Sequence, residues 1–115
     1  MATQDTGWVT LLDAATGTGN ELECSGATQV GIEYEIPTGV SAGVVVLEHS
    51  AVPGYAGTWA QLDSEDVSGG FAAAPSKQFF TFPGPLGVIR PRISTTFSGG
   101  AGPKVTVRAK RMFGQ

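Results

Sequence analysis

The chain has 115 residues, 41% of them hydrophobic and only 15% charged, with a net charge of −3. That length accommodates one domain with a modest core and excludes two. The acidic balance excludes a general nucleic-acid binder, which needs a basic footprint, and no run approaches the ~18 apolar residues of a membrane-spanning helix.

Residues 1–7 lack the basic start and apolar run of a signal peptide. They are expected to form a flexible arm in a protein made in the cytosol, ahead of a single domain over 8–115. Seventeen glycines and seven prolines punctuate the rest, as turns between short strands require. Trp8–Leu12 reads as the first strand, ending in the turn-rich Thr16–Asn20, and Glu21–Cys24 as a short second. From Ala27 to Ile36 the alternation is clear: Val30, Ile32, Tyr34 and Ile36 face one way, Gln29, Glu33 and Glu35 the other. Val44–Leu47 is a continuous apolar run, expected to be central or buried on both faces.

Gly57–Leu62 alternates with Trp59 and Leu62 out of phase, which demands a bulge or a strand end between them. Asp63-Ser-Glu-Asp66 offers carboxylates without the spacing of a calcium loop and reads as a solvated loop. Lys77–Phe82 is the next strand. Val88–Phe97 follows, with Ile89, Ile93 and Phe97 on one side and Arg90, Arg92, Ser94 and Thr96 on the other. Pro91 within it predicts an edge or a bulge. Last, Val105, Val107 and Ala109 alternate with Thr106, Arg108 and Lys110. Eight strands and no helix predict an all-β, single-domain antiparallel β-sandwich, an eight-stranded jelly roll. The alternative is an immunoglobulin-like sandwich, for which the Cys–Trp–Cys set is missing.

The charges are segregated along the chain. All ten carboxylates lie between Asp5 and Asp66, and all seven lysines and arginines between Lys77 and Arg111. Oppositely charged halves can meet within one molecule or between molecules. Arg90 and Arg92 share one outward face, Arg108 and Lys110 another with Arg111 close behind, and Glu33 and Glu35 are their expected partners across a sheet or a subunit boundary.

No catalytic constellation is visible. His49 is the only histidine, so neither a triad nor a metal site can be assembled around it, and it reads as a solvated residue at a strand end. Cys24 is alone and cannot form an intrachain disulfide. Glu33 and Glu35 share an outward face without an apolar pocket, which suits no acid–base pair. The expectation is a protein that is not an enzyme and needs no cofactor or metal. Tyr55-Ala-Gly-Thr-Trp59 offers two readings: a flat platform for a sugar or a protein partner, or a core anchor (Trp59) with a loop cover (Tyr55).

The stretches Gly43-Val-Val-Val-Leu-Glu-His-Ser, Tyr55-Ala-Gly-Thr-Trp-Ala, Ile89-Arg-Pro-Arg-Ile and Val105-Thr-Val-Arg-Ala-Lys-Arg resemble small virion proteins of tailed bacteriophages. The similarity, over roughly residues 27–113, is greatest to the decoration, or cementing, proteins, some of them jelly rolls that staple neighbouring capsomers. The resemblance implies a virion protein on the outer capsid surface, synthesised in the host cytoplasm. Its implied partners are the major capsid protein and sister copies in a homodimer or homotrimer, with no nucleic acid and no membrane. On that expectation residues 1–7 and the basic C-terminal strand lie at contacts, and charge reversal at Arg108, Lys110 and Arg111 weakens attachment while leaving the monomer folded. Similar small β-proteins occur in tails and necks, and a carbohydrate-binding module using Tyr55 and Trp59 is the other alternative.

Overall fold

The computed structural model describes residues 7–67, 76–83 and 87–113, with the backbone alone for 76–79. All regular structure among them is β. Nine strands follow in order: β1 (Val9–Ala14), β2 (Gly17–Thr18), β3 (Leu22–Glu23), β4 (Gln29–Ile36), β5 (Ala42–Ser50), β6 (Ala60–Asp66), β7 (Ser76–Pro83), β8 (Val88–Ser98) and β9 (Val105–Met112). They form two antiparallel sheets, ordered β1-β9-β4-β7 and β2-β8-β5-β6, with β3 also pairing β8. The two pack face to face as a single sandwich.

The alternating pattern of β4 is realised as written: Val30, Ile32, Tyr34 and Ile36 are buried between the sheets. Val105, Val107 and Ala109 join them from β9, and Val45, Leu47, Ile89, Ile93 and Phe97 meet them from the other sheet. Burying each larger member of this set contributes about 1.5–3 kcal/mol. β5 lies between β8 and β6, and its apolar run is buried on both faces, as a central strand allows. In β1 a register shift between Thr10 and Leu12 lets the adjacent Leu11 and Leu12 both enter the core.

The ninth strand comes from the segment read as a turn. β2 and β3 pair successive stretches of β8, Gly17–Thr18 opposite Arg92–Ile93 and Leu22–Glu23 opposite Val88–Ile89. They act as one interrupted strand, and counting them as one gives eight positions ordered 1-8-3-6 and 2-7-4-5.

The interruption explains Pro91, which lies in an interior strand rather than at an edge. Its carbonyl accepts a hydrogen bond from Gly19 N–H at 2.8 Å, in the gap between β2 and β3. N–H and C=O of one residue point to the same side of a strand. The N–H that proline lacks would therefore point into that gap, where no ladder partner waits.

The phase break after Trp59 is also resolved. β6 begins at Ala60, and Leu47 pairs Asp63 while Glu48 pairs Gln61, so Leu62 is the extra residue of a bulge. Asp63–Asp66 are not a loop: they form the second half of β6, where Val44–Leu47 hold them in register.

Candidate functional site

The segregated charges are reconciled by strand order. Every strand pairing except β5–β6 joins a strand of the acidic half to one of the basic half. β9 runs between β1 and β4, and β8 between the β2/β3 edge and β5. Cross-strand neighbours of opposite charge are the direct result.

On the outer face of the β9–β4 pair, Arg108 lies opposite Glu33. Its Nη1 donates to Glu33 Oε1 and Glu35 Oε1, both at 2.7 Å. Hydrogen bonds to Glu35 first, then Glu33, push the guanidinium further towards its charged form. Beside it Lys104 Nζ pairs with Asp13 Oδ1 at 3.0 Å, and Thr106 Oγ1 donates to the same oxygen at 3.2 Å. The hydrogen bond from Lys104 is the main reason the Asp13 carboxyl is held below its ordinary range. A recess of about 310 Å³ opens between Asp13, Glu35, Lys104 and Arg108, but the charged groups that line it already neutralise one another.

On the outer face of the other sheet the stoichiometry is reversed. Glu48, not among the partners expected from sequence, has 6% of its surface exposed and serves two arginines. Arg90 Nε donates to Oε1 at 3.0 Å and Arg92 Nε to Oε2 at 2.8 Å. These arginines therefore pair with Glu48, not with Glu33 and Glu35. Strand parity carried the signal: Leu47 faces in, so Glu48 must face the side that Arg90 and Arg92 share.

The Arg90 guanidinium also lies over the Trp59 ring, 4.0 Å from its centroid. Trp59 is only 6% exposed, yet it is absent from the core between the sheets. Its Nε1–H donates to Tyr55 O at 2.8 Å, which closes the loop onto the strand. Tyr55 keeps 44% exposure, its ring packed over Gly57 where a Cβ would collide with it. Of the two rings, Trp59 is roofed by an arginine and Tyr55 stays exposed.

Lys110 follows Arg108 on the outer face of β9, opposite Gly31. Arg111 has the opposite parity and a different role: its Nη1 donates to Glu23 O at 3.0 Å, and its guanidinium lies 5.9 Å from the Phe113 ring. It ties the end of β9 to β3. Arg108 and Arg111 both make bonds inside the chain, so reversing their charge would remove intramolecular contacts as well as any made to a partner.

Where acidic strand meets acidic strand, at β5–β6, carboxylates accumulate instead. Tyr34 Oη donates to Asp63 Oδ2 at 3.1 Å across the interior. Burial, followed by the neighbouring Asp63, pushes the Tyr34 hydroxyl far up. Glu65, two residues along β6, is pushed up to about 7 by burial first and then by its hydrogen bond and repulsion with Asp63.

Burial also pushes the Cys24 thiol up to about 11, which removes its nucleophilicity at neutral pH. His49 is not fully solvated: it lies within β5 opposite Ile89 and Ala60, half-buried, with Nδ1 lacking a hydrogen-bond partner among the described residues. Among the described residues, no group of three His, Cys, Asp or Glu side chains is placed to hold a metal ion. The proposed arm over 1–7 lies outside the described residues except for Gly7. No protein-family model, no curated protein and no solved structure matches this chain.

Proposed function

We propose that the protein is a virion structural component that binds the outside of a bacteriophage head and cements neighbouring capsid subunits, its partners being the major capsid protein and sister copies. The observation that carries this reading is where apolar surface remains. The large hydrophobic side chains exposed among the described residues are Trp8, Val9, Val52 and Tyr55. Strand register assigns all four to one end of the sandwich, with the start of β1, the β5–β6 loop and the end of β9. An apolar end of this kind suits end-on docking to a larger surface. The strand order 1-8-3-6 and 2-7-4-5 supports the jelly-roll form expected from the resemblance. Contacts spread over several capsid subunits resist local separation through multivalency, and binding only the assembled shell stabilises that state by mass action.

The test is co-sedimentation with expanded, undecorated phage heads. Saturable binding that raises the temperature of shell disruption is expected. A folded protein that does not sediment with heads but forms rings in solution reassigns it to a tail or neck. The carbohydrate reading loses its main support because Arg90 covers the Trp59 face on which a sugar would stack.

A further inference from the structure

We propose that the outer face of the β8–β5–β6 strands, centred on Arg90 and Arg92 and bordered by Tyr55, docks an extended acidic segment of a partner protein that carries carboxylates on alternate residues. The inference stands on the geometry of this face and does not depend on the phage reading.

Each guanidinium has five N–H donors. The bonds to Glu48 use Nε of each arginine, and the terminal amines of both make no hydrogen bond to any described residue. One nearly buried carboxylate between two arginines leaves the cluster at +1 on a chain of net charge −3. Arg108 differs: two carboxylates share its Nη1, so its charge is already matched within the chain.

The two arginines are also held in place. Glu48 orients both, and the Trp59 ring supports Arg90 from below, while the indole N–H is fixed to Tyr55 O. Their side chains retain 23% and 40% exposure, so both can be reached from solvent. Arginines immobilised in advance lose less conformational freedom on binding, and the fork of terminal amines matches a carboxylate bidentately. Trp, Tyr and Arg together are the residues that dominate binding energy at protein interfaces.

Spacing selects the ligand. Residues two apart on a strand project the same way, about 6.5–7 Å from each other. Side chains on alternate residues of any extended segment have the same repeat, so two carboxylates in that pattern meet both guanidiniums at once. Two cations with one carboxylate between them are too few for a polyphosphate backbone, which binds through many contacts.

The probe is a capped decapeptide of alternating Glu and Ala, followed by ¹H–¹⁵N spectroscopy of the intact protein. The control has the same composition with its glutamates in one block. Saturable shifts are expected at the Nε–H signals of Arg90 and Arg92, the Trp59 indole N–H and the Tyr55 amide, with weaker binding of the control. Arg92→Gln, which leaves Glu48 bound by Arg90, is expected to weaken binding about tenfold or more through loss of one charge-assisted pair. Tyr55→Ala weakens it without touching a charge. Absence of these shifts, equal binding of both peptides, or an equal response at the Arg108 Nε–H overturns the proposal. Tighter binding of an oligoglucuronate than of the alternating peptide also overturns it, because the ligand class is then glycan.

Discussion

Glu48 and Glu65 lie on neighbouring strands and meet opposite fates. Both oxygens of Glu48 are taken by arginines, so removing it strips two partly exposed cations of their common partner. Glu48→Gln is expected to destabilise by about 1.5–3 kcal/mol, the range for hydrogen bonds to charged groups. Arg92→Ala is expected to cost less than about 1 kcal/mol, because the pair is half in solvent and Arg90 remains. Urea denaturation of the two variants checks that asymmetry. Among the described residues no cation is in contact with Glu65: beside it stand Asp63, on its own strand, and Tyr34 from β4. Its carboxyl is raised from 4.5 to about 7 on folding, so the folded state holds a proton that the unfolded chain releases in that window. The contribution of this group to stability therefore falls as pH rises from about 4.5 to about 7, and the deficit is fully present above. Glu65→Gln is expected to flatten that slope and raise the thermal midpoint at pH 8 more than at pH 5. An unchanged pH profile in the variant would assign the slope elsewhere.

At the scale of the strand, irregularities do as much as pattern. Gly43 has φ of +143° and sits against the Phe97 ring, where an added Cβ would lie 2.5–2.8 Å from ring carbons. It falls where the β5–β8 register shifts, next to Val44. Gly43→Ala combines an unfavourable backbone with overpacking and is expected to cost about 2–5 kcal/mol. Partial recovery by Phe97→Leu in denaturant melts would show that the ring is the obstacle. Strand existence and sidedness were legible for β4, β8 and β9, because alternation alone specifies which residues face the core, and β5 was legible as a central strand from its unbroken apolar run. The bulge after Trp59 was legible as a broken phase. β2 was not, because its two residues lie in a Gly- and Thr-rich turn and are strands only through their partner β8. Asp63–Asp66 were misread as a loop for the converse reason: polar composition signals solvent, while pairing with Val44–Leu47 imposes an extended backbone regardless.

For the whole molecule, the separation of charge along the chain is a consequence of how the two halves interleave. No two strands of the basic half pair each other, and in the acidic half only β5 and β6 do. Neither half has a sheet of its own, so fragments cut in the β6–β7 connection are expected to be unfolded separately and to regain β structure on mixing. Circular dichroism of the fragments and their mixture decides this; a folded isolated half would overturn it. Raising salt is expected to weaken that association only moderately, because burial between the sheets supplies most of the energy and the exposed pairs are the part that salt screens.

By itself the sequence determined the class of fold and the inward residues of the longer strands, since a period of two admits one buried face. It also determined that opposite charges would meet. Which charges meet was decided only by tertiary structure. Arg90 and Arg92 turn to Glu48, Arg108 to Glu33 and Glu35, and Arg111 to a backbone carbonyl, because strand order and register are set by non-local pairing that no local pattern encodes. The same cause placed Trp59 under Arg90 rather than in the core, and left Asp63 and Glu65 together at the one junction where acidic strands adjoin.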